Sequence, residues 1–365
     1  MKKKVIVISA ISLRTGGPLT ILHDCLEYLS KSGIADDYRV VALVHNKNLA
    51  YFPNIEYIEF PKGTQWLRKL YYEYFKFNKI SKQLKPYLWL SLHDTSPIVN
   101  AEHQAVYMHN PSIVNKIKRS DFKYDKTYII FSLLYKYVYR INIHKNDYCI
   151  TQQYWMKDCI SKMYGIDRSK IIVARPNKND NSNCKEIDFR RCKVFLFPAF
   201  PRPFKNFEVI CEAAKILYEQ NIRDLKIILT IDGSESKYSK DIVQKYQNIP
   251  ILSFCGILDK FKMKEAYANA DCLIFPSRLE TWGLPISEFM EYGKPMIVAD
   301  KPYAHETAEE GYVAFFNESS PQELALLISE TMKGDFTKFS IVETQAIQPP
   351  FASSFKELFN ILLKK

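Results

Sequence analysis

Short apolar runs alternate with amphipathic segments along the chain, and this alternation constrains the fold more than any other feature of the sequence. Runs of strand length followed by segments with helical spacing are typical of parallel sheets whose strands are joined by crossover helices. Such sheets are covered on both faces, so the sequence predicts an α/β protein. In the first half of the chain, strands are predicted at residues 5–10, 40–45, 87–91, 105–109 and 171–174.

Chain length and one polar segment predict two domains. The 365 residues are enough for two domains of ordinary size, and the 47% hydrophobic content is enough for two packed cores. Residues 176–186 are polar and rich in Asn, so they are interpreted as a linker between an N-terminal domain, 1–175, and a C-terminal domain, 187–345. A second alternating series begins at 194–197 and leads to a late helix that Ser320 would cap.

Cysteine usage and the N-terminal sequence predict a cytoplasmic protein. The eight cysteines are scattered singly, and without a CxxC pair neither a zinc site nor a disulfide framework is expected. The stretch MKKKVIVISAISLRTGG has a short apolar part and no small-residue cleavage pattern, so it is interpreted as a first strand entering a Gly loop. No apolar run approaches the roughly eighteen residues of a transmembrane helix.

The stretch FPSRLETWGLPISEFMEYGKPMIVAD carries the most specific pattern in the chain. It predicts a strand, a loop, a helix and a second strand, and it places the carboxylates of Glu280 and Glu288 eight residues apart. Between them Gly-Leu-Pro predicts a tight turn that opens a helix, and the free N–H groups of such a turn attract phosphate. Carboxylates accept hydrogen bonds from sugar hydroxyls, so the pattern favours a sugar nucleotide. The alternative is an amphipathic helix whose Glu288 and Glu291 face water.

This pattern resembles the signature of the retaining glycosyltransferases of family 4, which have the GT-B fold. The signature is a Glu, seven intervening residues and a second Glu, with Gly-Leu-Pro inside. The matching positions are Glu280, Thr281, Trp282, Gly283, Leu284, Pro285 and Glu288, and the resemblance assigns all of them except Pro285 to the donor site. The resemblance is strongest over 194–316, moderate near the N-terminus and around His109, and weak over 46–104.

The resemblance implies a fold and a division of labour within the signature. Two doubly wound, Rossmann-like domains would face an interdomain cleft, and a last helix at 351–365 would cross back to the N-terminal, acceptor-side domain. The C-terminal domain would bind the nucleotide sugar. Glu280 would hold the hydroxyls of the donor sugar, and Glu288 would bind the ribose. Gly283 and Leu284 would present backbone N–H groups to the diphosphate.

Loops that follow strands are further candidates, because ligands of open parallel sheets lie beyond the carboxyl ends of the strands. Gly16 and Gly17 match a family loop beside the donor phosphates, although alone they would predict a simple tight turn. The resemblance assigns His109 to contact with the reacting sugar; the alternative is a structural histidine packed against its neighbours. His93 and Asp94 are a weaker copy of the same strand-end pattern, for which a structural role is favoured over acceptor binding.

Two more loops of the C-terminal half match the family. Arg202 and Lys205 correspond to the Arg and Lys that neutralise the donor diphosphate, but the family spaces them about five residues apart and this chain spaces them three apart. Lys205 is therefore the surer assignment, and Arg202 has the alternative of a solvated loop charge. Leu258 lies in a loop whose family counterpart is near the nucleobase.

The resemblance also implies a mechanism. Configuration at the anomeric carbon would be retained without a protein nucleophile, and the leaving phosphate would help to deprotonate the acceptor hydroxyl. Breaking the sugar–phosphate bond develops positive charge on the sugar and negative charge on the diphosphate. Preorganised donors such as Lys205 would stabilise the diphosphate. With such donors, and without a convincing DxD motif, no metal or other cofactor is expected.

The net charge of +11 predicts an anionic partner. Residues 116–145 carry eight Lys or Arg against two Asp, interleaved with aromatic residues, and residues 66–87 add six more Lys or Arg. Such a surface suits an anionic membrane, so peripheral association and a lipid-linked acceptor are predicted. The alternative is a solvated helix face over a Tyr-rich core. No nucleic-acid-binding motif accompanies the charge, so no nucleic-acid partner is expected.

These features together predict a glycosyltransferase that moves a sugar from a nucleoside-diphosphate donor to a bacterial surface polysaccharide, O-antigen or capsule, at the inner face of the cell membrane. A sugar-nucleotide epimerase on the same scaffold is an alternative, because one fold hosts different chemistries. A third interpretation is a non-catalytic carbohydrate-binding or membrane-binding module.

Overall fold

The computed structural model describes residues 3–114, 119–124, 126–175 and 190–364, and the chain divides into two compact units. The first unit comprises Met1–Val114, Ile130–Asn177 and Ile347–Lys365, and the second comprises Asn115–Ile129 and Lys178–Ala346. The predicted linker, 176–186, lies outside the described residues. Residues 115–129 group with the second unit, which the predicted domain boundaries do not anticipate.

The described strands fall into two series along the chain. Strands β1 to β7 are Lys4–Ala10, Tyr38–Val44, Ile55–Glu59, Pro86–Ser91, His103–Tyr107, Tyr148–Thr151 and Ile171–Ala174. Strands β8 to β15 are Val194–Phe197, Lys226–Leu229, Leu252–Phe254, Cys272–Phe275, Met296–Ala299, Tyr312–Phe316, Ser340–Ile341 and Phe351–Ala352. The strands predicted at 171–174 and 194–197 are confirmed with the same bounds.

Helices separate most of these strands. Helices α1 to α6 are Gly16–Lys31, Ile34–Asp37, Trp66–Tyr71, Phe77–Leu84, Lys126–Arg140 and Tyr154–Tyr164. Helices α7 to α13 are Phe207–Glu219, Lys237–Tyr246, Lys260–Asn269, Leu284–Met290, Pro302–Thr307, Pro321–Lys333 and Phe355–Leu362. A π-helical turn, Tyr72–Lys76, joins α3 to α4. Short 3-10 turns are Lys47–Leu49, Pro111–Val114, Arg119–Lys123, Ile143–Lys145, Arg168–Lys170 and Pro203–Lys205.

The first unit is built on a parallel sheet of eight strands in the order β15-β7-β6-β5-β4-β1-β2-β3. Successive side chains of a strand point to opposite faces, so both faces need a cover. In β1, Ile8 packs in one core cluster with Leu26 of α1, whereas Val7 packs in another cluster with Phe77 of α4. Helices therefore cover both faces of this sheet, as the alternating pattern predicts.

The chain ends in the first unit. The helix predicted over 351–365 is wrong at its start, because the first two of these residues form β15 and pair in parallel with β7. Helix α13 begins after Ser354, whose Oγ accepts a hydrogen bond from the N–H of Glu357. It packs on α1, with the ring of Phe359 stacked on Tyr28 at 5.8 Å between centroids.

The second unit is built on a sheet of seven strands in the order β10-β9-β8-β11-β12-β13-β14. All neighbours are parallel except β14, which is antiparallel to β13. The late helix α12 begins as predicted: Pro321 is its first residue, and the Oγ of Ser320 accepts a hydrogen bond from the N–H of Glu323. In the part of the chain that the structure describes, no helix is both long enough and apolar enough to cross a membrane.

Candidate active site

The Gly-Leu-Pro turn of the second unit follows the buried strand β11. Gly283 has φ of 89°, in the left-handed region, and α10 begins at the next residue. A Cβ added to Gly283 would make only ordinary contacts, 3.6 Å from the rings of Phe275 and Tyr303, so it is the left-handed backbone that favours glycine here. The predicted turn that opens a helix is confirmed, and its binding of a diphosphate stays a prediction.

Lys205 and Glu280 form an ion pair beside this turn. The Nζ of Lys205 lies 2.5 Å from Oε1 of Glu280, and the two side chains are 15% and 14% exposed. Lys205 ends a 3-10 turn after β8, and Glu280 lies in the loop after β11. Strands β8 and β11 are parallel neighbours, so both residues lie at the carboxyl edge of the sheet. The fold thus brings two residues with predicted roles at the donor site into direct contact.

Arg278 ties the loops of this pair together, and the sequence does not single it out. Its backbone N–H donates to the carbonyl of Phe204 at 2.8 Å, and its Nη2 donates to the carbonyl of Pro203 at 2.8 Å. The same Nη2 lies 3.0 Å from Oδ1 of Asp121, in an ion pair whose side chains are 11% and 8% exposed. Arg278 therefore fixes the turn that carries Lys205 against the loop that carries Glu280.

The second half of the signature is partly engaged in local contacts. Glu288 is exposed, and its Oε2 accepts a hydrogen bond from the hydroxyl of Tyr267 at 2.7 Å. Trp282 is buried, and its Nε1 donates to Oγ of Ser287 at 2.8 Å, so its indole stabilises the turn itself. Thr281 is half-buried. The contact of Glu288 with ribose stays a prediction.

The remaining predicted residues of the second unit differ in exposure. Arg202 is exposed beside the ring of Phe200, with 5.6 Å from its guanidinium carbon to the ring centroid. It is the N-cap residue of the 3-10 turn that Lys205 ends, so the two cations lie at opposite ends of one short turn. Leu258 is half-buried in the loop before α9, and Leu284 is 42% exposed at the start of α10.

In the first unit, His109 lies two residues beyond β5, because the strand predicted to end at 109 ends at Tyr107. Asp94 holds it: Oδ1 of Asp94 accepts hydrogen bonds from the N–H groups of His109 at 2.7 Å and Asn110 at 2.9 Å. The Nε2 of His109 lies 3.5 Å from Oδ2 of Asp94, and the His109 side chain is 9% exposed. Burial lowers the pKa of His109, and the Asp94 charge opposes that shift only in part. The imidazole is therefore mainly neutral at pH 7.

A buried polar network supports this loop. The His93 ring is 1% exposed; its Nε2 lies 2.9 Å from Oγ of Ser9, and its Nδ1 lies 2.8 Å from Oε1 of Glu73. Lys69 Nζ lies 3.6 Å from the same Glu73 oxygen and donates to the carbonyl of His93 at 3.2 Å. Burial alone would raise the pKa of Glu73, but the charges of Lys69 and His93 outweigh it, so the pKa lies below its usual value. These contacts give His93 the structural role that the sequence favours.

Gly16 and Gly17 begin helix α1, so the prediction that they lie in a loop is wrong. Gly16 has φ of 68°, and a Cβ added to Gly17 would meet nothing within 4 Å. No acidic residue occupies the first turn of this 16-residue helix. The helix dipole at such an end favours an anion. Contact with donor phosphates stays a prediction.

Comparison with solved structures defines the class of fold. The apo form of the lipopolysaccharide outer core galactosyltransferase WaaB superposes with a TM-score of 0.65 at 13% identity, covering 99% of each chain. Together with the two parallel-sheet units, this likeness confirms the predicted GT-B fold.

Comparison of sequences finds a family match in the second half of the chain. Residues 185–344 match the model of the family Glycosyl transferases group 1. The chain is 24% identical over 220 residues to the O-antigen chain mannosyltransferase RfbU of Salmonella typhimurium, covering 59% of this chain and 59% of that protein. It is 26% identical over 288 residues to the processive diacylglycerol alpha-glucosyltransferase of Acholeplasma laidlawii, covering 75% of this chain and 76% of that protein.

Proposed function

We propose that the protein is a retaining glycosyltransferase that moves a sugar from a nucleoside-diphosphate donor to a hydroxyl of a lipid-linked oligosaccharide in bacterial surface-polysaccharide synthesis. The observation that carries the proposal is the Lys205–Glu280 pair beside the Gly283 turn. The O-antigen mannosyltransferase and the diacylglycerol glucosyltransferase support the acceptor class, because one acts on a surface polysaccharide and the other on a lipid.

The ion pair suits a ligand that is anionic at one point and hydroxylated nearby. The ammonium of Lys205 would bind the diphosphate, and the carboxylate of Glu280 would accept hydrogen bonds from the sugar. The two charges satisfy each other at 2.5 Å, which limits the cost of holding them mostly buried. Glu288 would bind the ribose from the exposed side of α10.

Transfer breaks the bond between the anomeric carbon and the diphosphate oxygen and forms a bond to the acceptor oxygen. Negative charge develops on the diphosphate, where Lys205 and the N–H groups at Gly283 and Leu284 would stabilise it. The proton of the acceptor hydroxyl would pass to the leaving phosphate. A neutral His109 suits contact with a sugar that becomes positively charged, because an imidazolium would repel it.

The location of the reaction follows from the acceptor. A lipid-linked substrate lies in a bilayer, and a protein of net charge +11 is attracted to anionic headgroups. We therefore place the reaction at the cytoplasmic face of the cell membrane, with the protein peripherally bound.

The test is transfer from a panel of nucleoside-diphosphate sugars to lipid-linked oligosaccharide acceptors, with the anomeric configuration of the product read by NMR. Retained configuration in an acceptor-dependent product supports the proposal. Conversion of the donor to an isomer without acceptor would identify a sugar-nucleotide epimerase instead. Nucleotide binding without turnover of any donor would identify a non-catalytic module.

A further inference from the structure

A row of large apolar side chains is exposed on the helix formed by α3 and the π-helical turn. Leu67, Tyr71 and Phe75 are 73%, 56% and 66% exposed. Their spacing of four residues places them on one side of the helix, and the rings of Tyr71 and Phe75 stack with centroids 5.9 Å apart. We call these three side chains the first row. Single exposed apolar residues are common, but a row of them marks a surface that binds something apolar.

A second row runs along α5 and the residue that follows it. Its members are between 46% and 61% exposed: Ile130, Leu133, Leu134, Tyr137 and Ile141. Intervals of three, four, seven and eleven residues from the first member place them on one stripe of the helix. Tyr139, on another side, is 1% exposed and packs in the core. The helix therefore has its buried face already, and the second row is an additional apolar stripe.

The two helices are neighbours within the first unit. Burial raises the pKa of Tyr135 on α5, and the nearby ammonium of Lys69 on α3 opposes that shift. Lys69 and Glu73 point inward and bind the His93 network, whereas the first row points outward from the same helix. Changes to the first row therefore leave the inward contacts of this helix in place.

The two segments that carry the rows expose charge of a single sign. Within residues 61–85 the one acidic residue is Glu73, whose side chain is 0% exposed and paired with Lys69. The same segment exposes six basic side chains: Lys62, Arg68, Lys76, Lys79, Lys82 and Lys85. Helix α5 contains no acidic residue, and Arg140 is exposed near its end. The partner of this surface is therefore both anionic and apolar.

We infer that the two rows are the surface by which the protein enters the headgroup layer of an anionic lipid bilayer. Apolar side chains insert at the boundary of the acyl chains, and the surrounding Lys and Arg bind lipid phosphates, as in interfacial amphipathic helices. A second copy of this chain is a poorer occupant, because a symmetric contact would bring these cations together. The inference rests on the proposed function, which places the acceptor in the same bilayer.

The test is co-sedimentation with vesicles of phosphatidylglycerol and phosphatidylcholine, or of phosphatidylcholine alone, without donor or acceptor. Three variants are compared with wild type. The triple variants are L67S/Y71S/F75S for the first row and L133S/Y137S/I141S for the second row, and the double variant L326S/I341S is the matched control. Leu326 and Ile341 are 50% and 61% exposed in the second unit, so the control also removes exposed apolar side chains. Each row variant is expected to lower the partition coefficient on anionic vesicles about tenfold or more, and the control to leave it unchanged.

The salt concentration separates the contribution of the basic side chains to vesicle binding from that of the apolar rows. The charge variant R68Q/K76Q/K79Q is expected to weaken binding strongly at low salt and little at high salt, because salt screens exposed charges. The row variants are expected to bind vesicles more weakly than wild type at low and at high salt. Circular dichroism and the thermal shift caused by nucleoside diphosphate check that every variant is folded with its donor site intact.

Three results would overturn the inference: no binding of wild type to anionic vesicles at low salt, equal binding by the row variants, or dimers in sedimentation equilibrium that only the row variants lose. The third result would make a second copy the occupant. Vesicle binding by a protein that neither binds nor turns over nucleotide sugars would contradict the proposed function and leave this surface standing.

Discussion

Asp94 binds His109 twice, through the backbone and through the ring. Its Oδ1 accepts a hydrogen bond from the N–H of His109 at 2.7 Å, and its Oδ2 lies 3.5 Å from Nε2 of the ring. Asp94 itself has φ of 68°, a left-handed conformation that Asp tolerates better than most residues. The position of the candidate catalytic histidine therefore depends on a carboxylate fifteen residues earlier in the chain.

Asp94→Asn is expected to keep the fold and change the pH profile. The Asn carbonyl still accepts the backbone hydrogen bonds, but the negative charge that partly holds up the pKa of His109 is lost. The pKa of His109 then falls further, so the acid limb of the kcat profile moves to lower pH. An unchanged acid limb in a folded variant would show that His109 does not titrate in turnover. Asp94→Ala, which removes the acceptor, should cost about 1–3 kcal/mol of stability.

The lowered pKa of His109 also predicts how the free energy of unfolding depends on pH. Burial lowers its pKa below the usual value, so the unfolded chain takes up the proton at higher pH than the folded one. The contribution of the buried neutral ring to the free energy of unfolding is complete above about pH 6.5, the pKa of an unfolded-state histidine. It is lost as the pH falls through the lower pKa that His109 has in the folded state. We expect the stability difference between wild type and His109→Gln to shrink between pH 7.5 and pH 5 in urea unfolding. A difference that stays constant or grows would contradict the burial of a neutral ring.

Glu280→Gln and Lys205→Met test the ion pair. Both side chains are mostly buried, so each variant leaves one partner unpaired. Glu280→Gln should lower kcat by about a hundredfold or more with a native fold, because it removes a contact to the reacting sugar.

Lys205→Met should weaken binding of the free nucleoside diphosphate about tenfold or more, measured by calorimetry. Near-normal transfer by folded Glu280→Gln, or unchanged affinity of Lys205→Met, would remove the residue concerned from the site.

Arg278→Lys tests whether the donor loops are held together by a guanidinium. Lysine keeps the charge opposite Asp121 but is a point charge, without the planar guanidinium that reaches Asp121 and the carbonyl of Pro203 together. The donor KM should rise about tenfold while the backbone fold persists. Arg223→Lys is the matched control, because Arg223 is exposed in the second unit and stacks on Tyr218. Equal KM values for the two variants would assign Arg278 a purely structural role.

Removal of divalent metals should leave transfer unchanged, because the proposed site neutralises the diphosphate with Lys205 and backbone N–H groups. In the described part of the chain, His23, Asp24 and Glu27 bring potential ligand atoms within 4.8 Å of one another on α1. Glu27 is already paired with Lys31 at 2.6 Å. Turnover with EDTA should equal turnover with magnesium within about twofold, and activity that returns only with metal would contradict this prediction.

The sequence predicts best the elements with local signals. Alternating apolar runs locate most strands, and the glycine at position 283 is recognisable because its turn requires a left-handed backbone. Lys205 and Glu280 are found because each follows a strand in a motif. Their direct contact is a property of neighbouring strands and is not visible in the sequence.

The residues that the sequence misses act through contacts distant in the chain. Arg278 is recognised by its bonds to Pro203 and Asp121, which are 75 and 157 residues away in the sequence. In the sequence, Glu73 looks like a surface charge in a basic segment. In the structure it lies in the π-helical turn, with Oε1 2.8 Å from Nδ1 of His93. Residues 115–129 group with the second unit although their neighbours in sequence belong to the first. Composition and spacing carry no signal for any of these.

The most direct test of the central claim is a thermal-shift titration of wild type and Lys205→Met with UDP, GDP, dTDP, CMP and ADP, without metal. If Lys205 binds the diphosphate, one nucleoside diphosphate raises the melting temperature of wild type with increasing concentration, as binding linkage requires, and Lys205→Met loses most of that shift. No response of wild type to any nucleotide, or an equal response of the variant, would contradict a donor site at the Lys205–Glu280 pair.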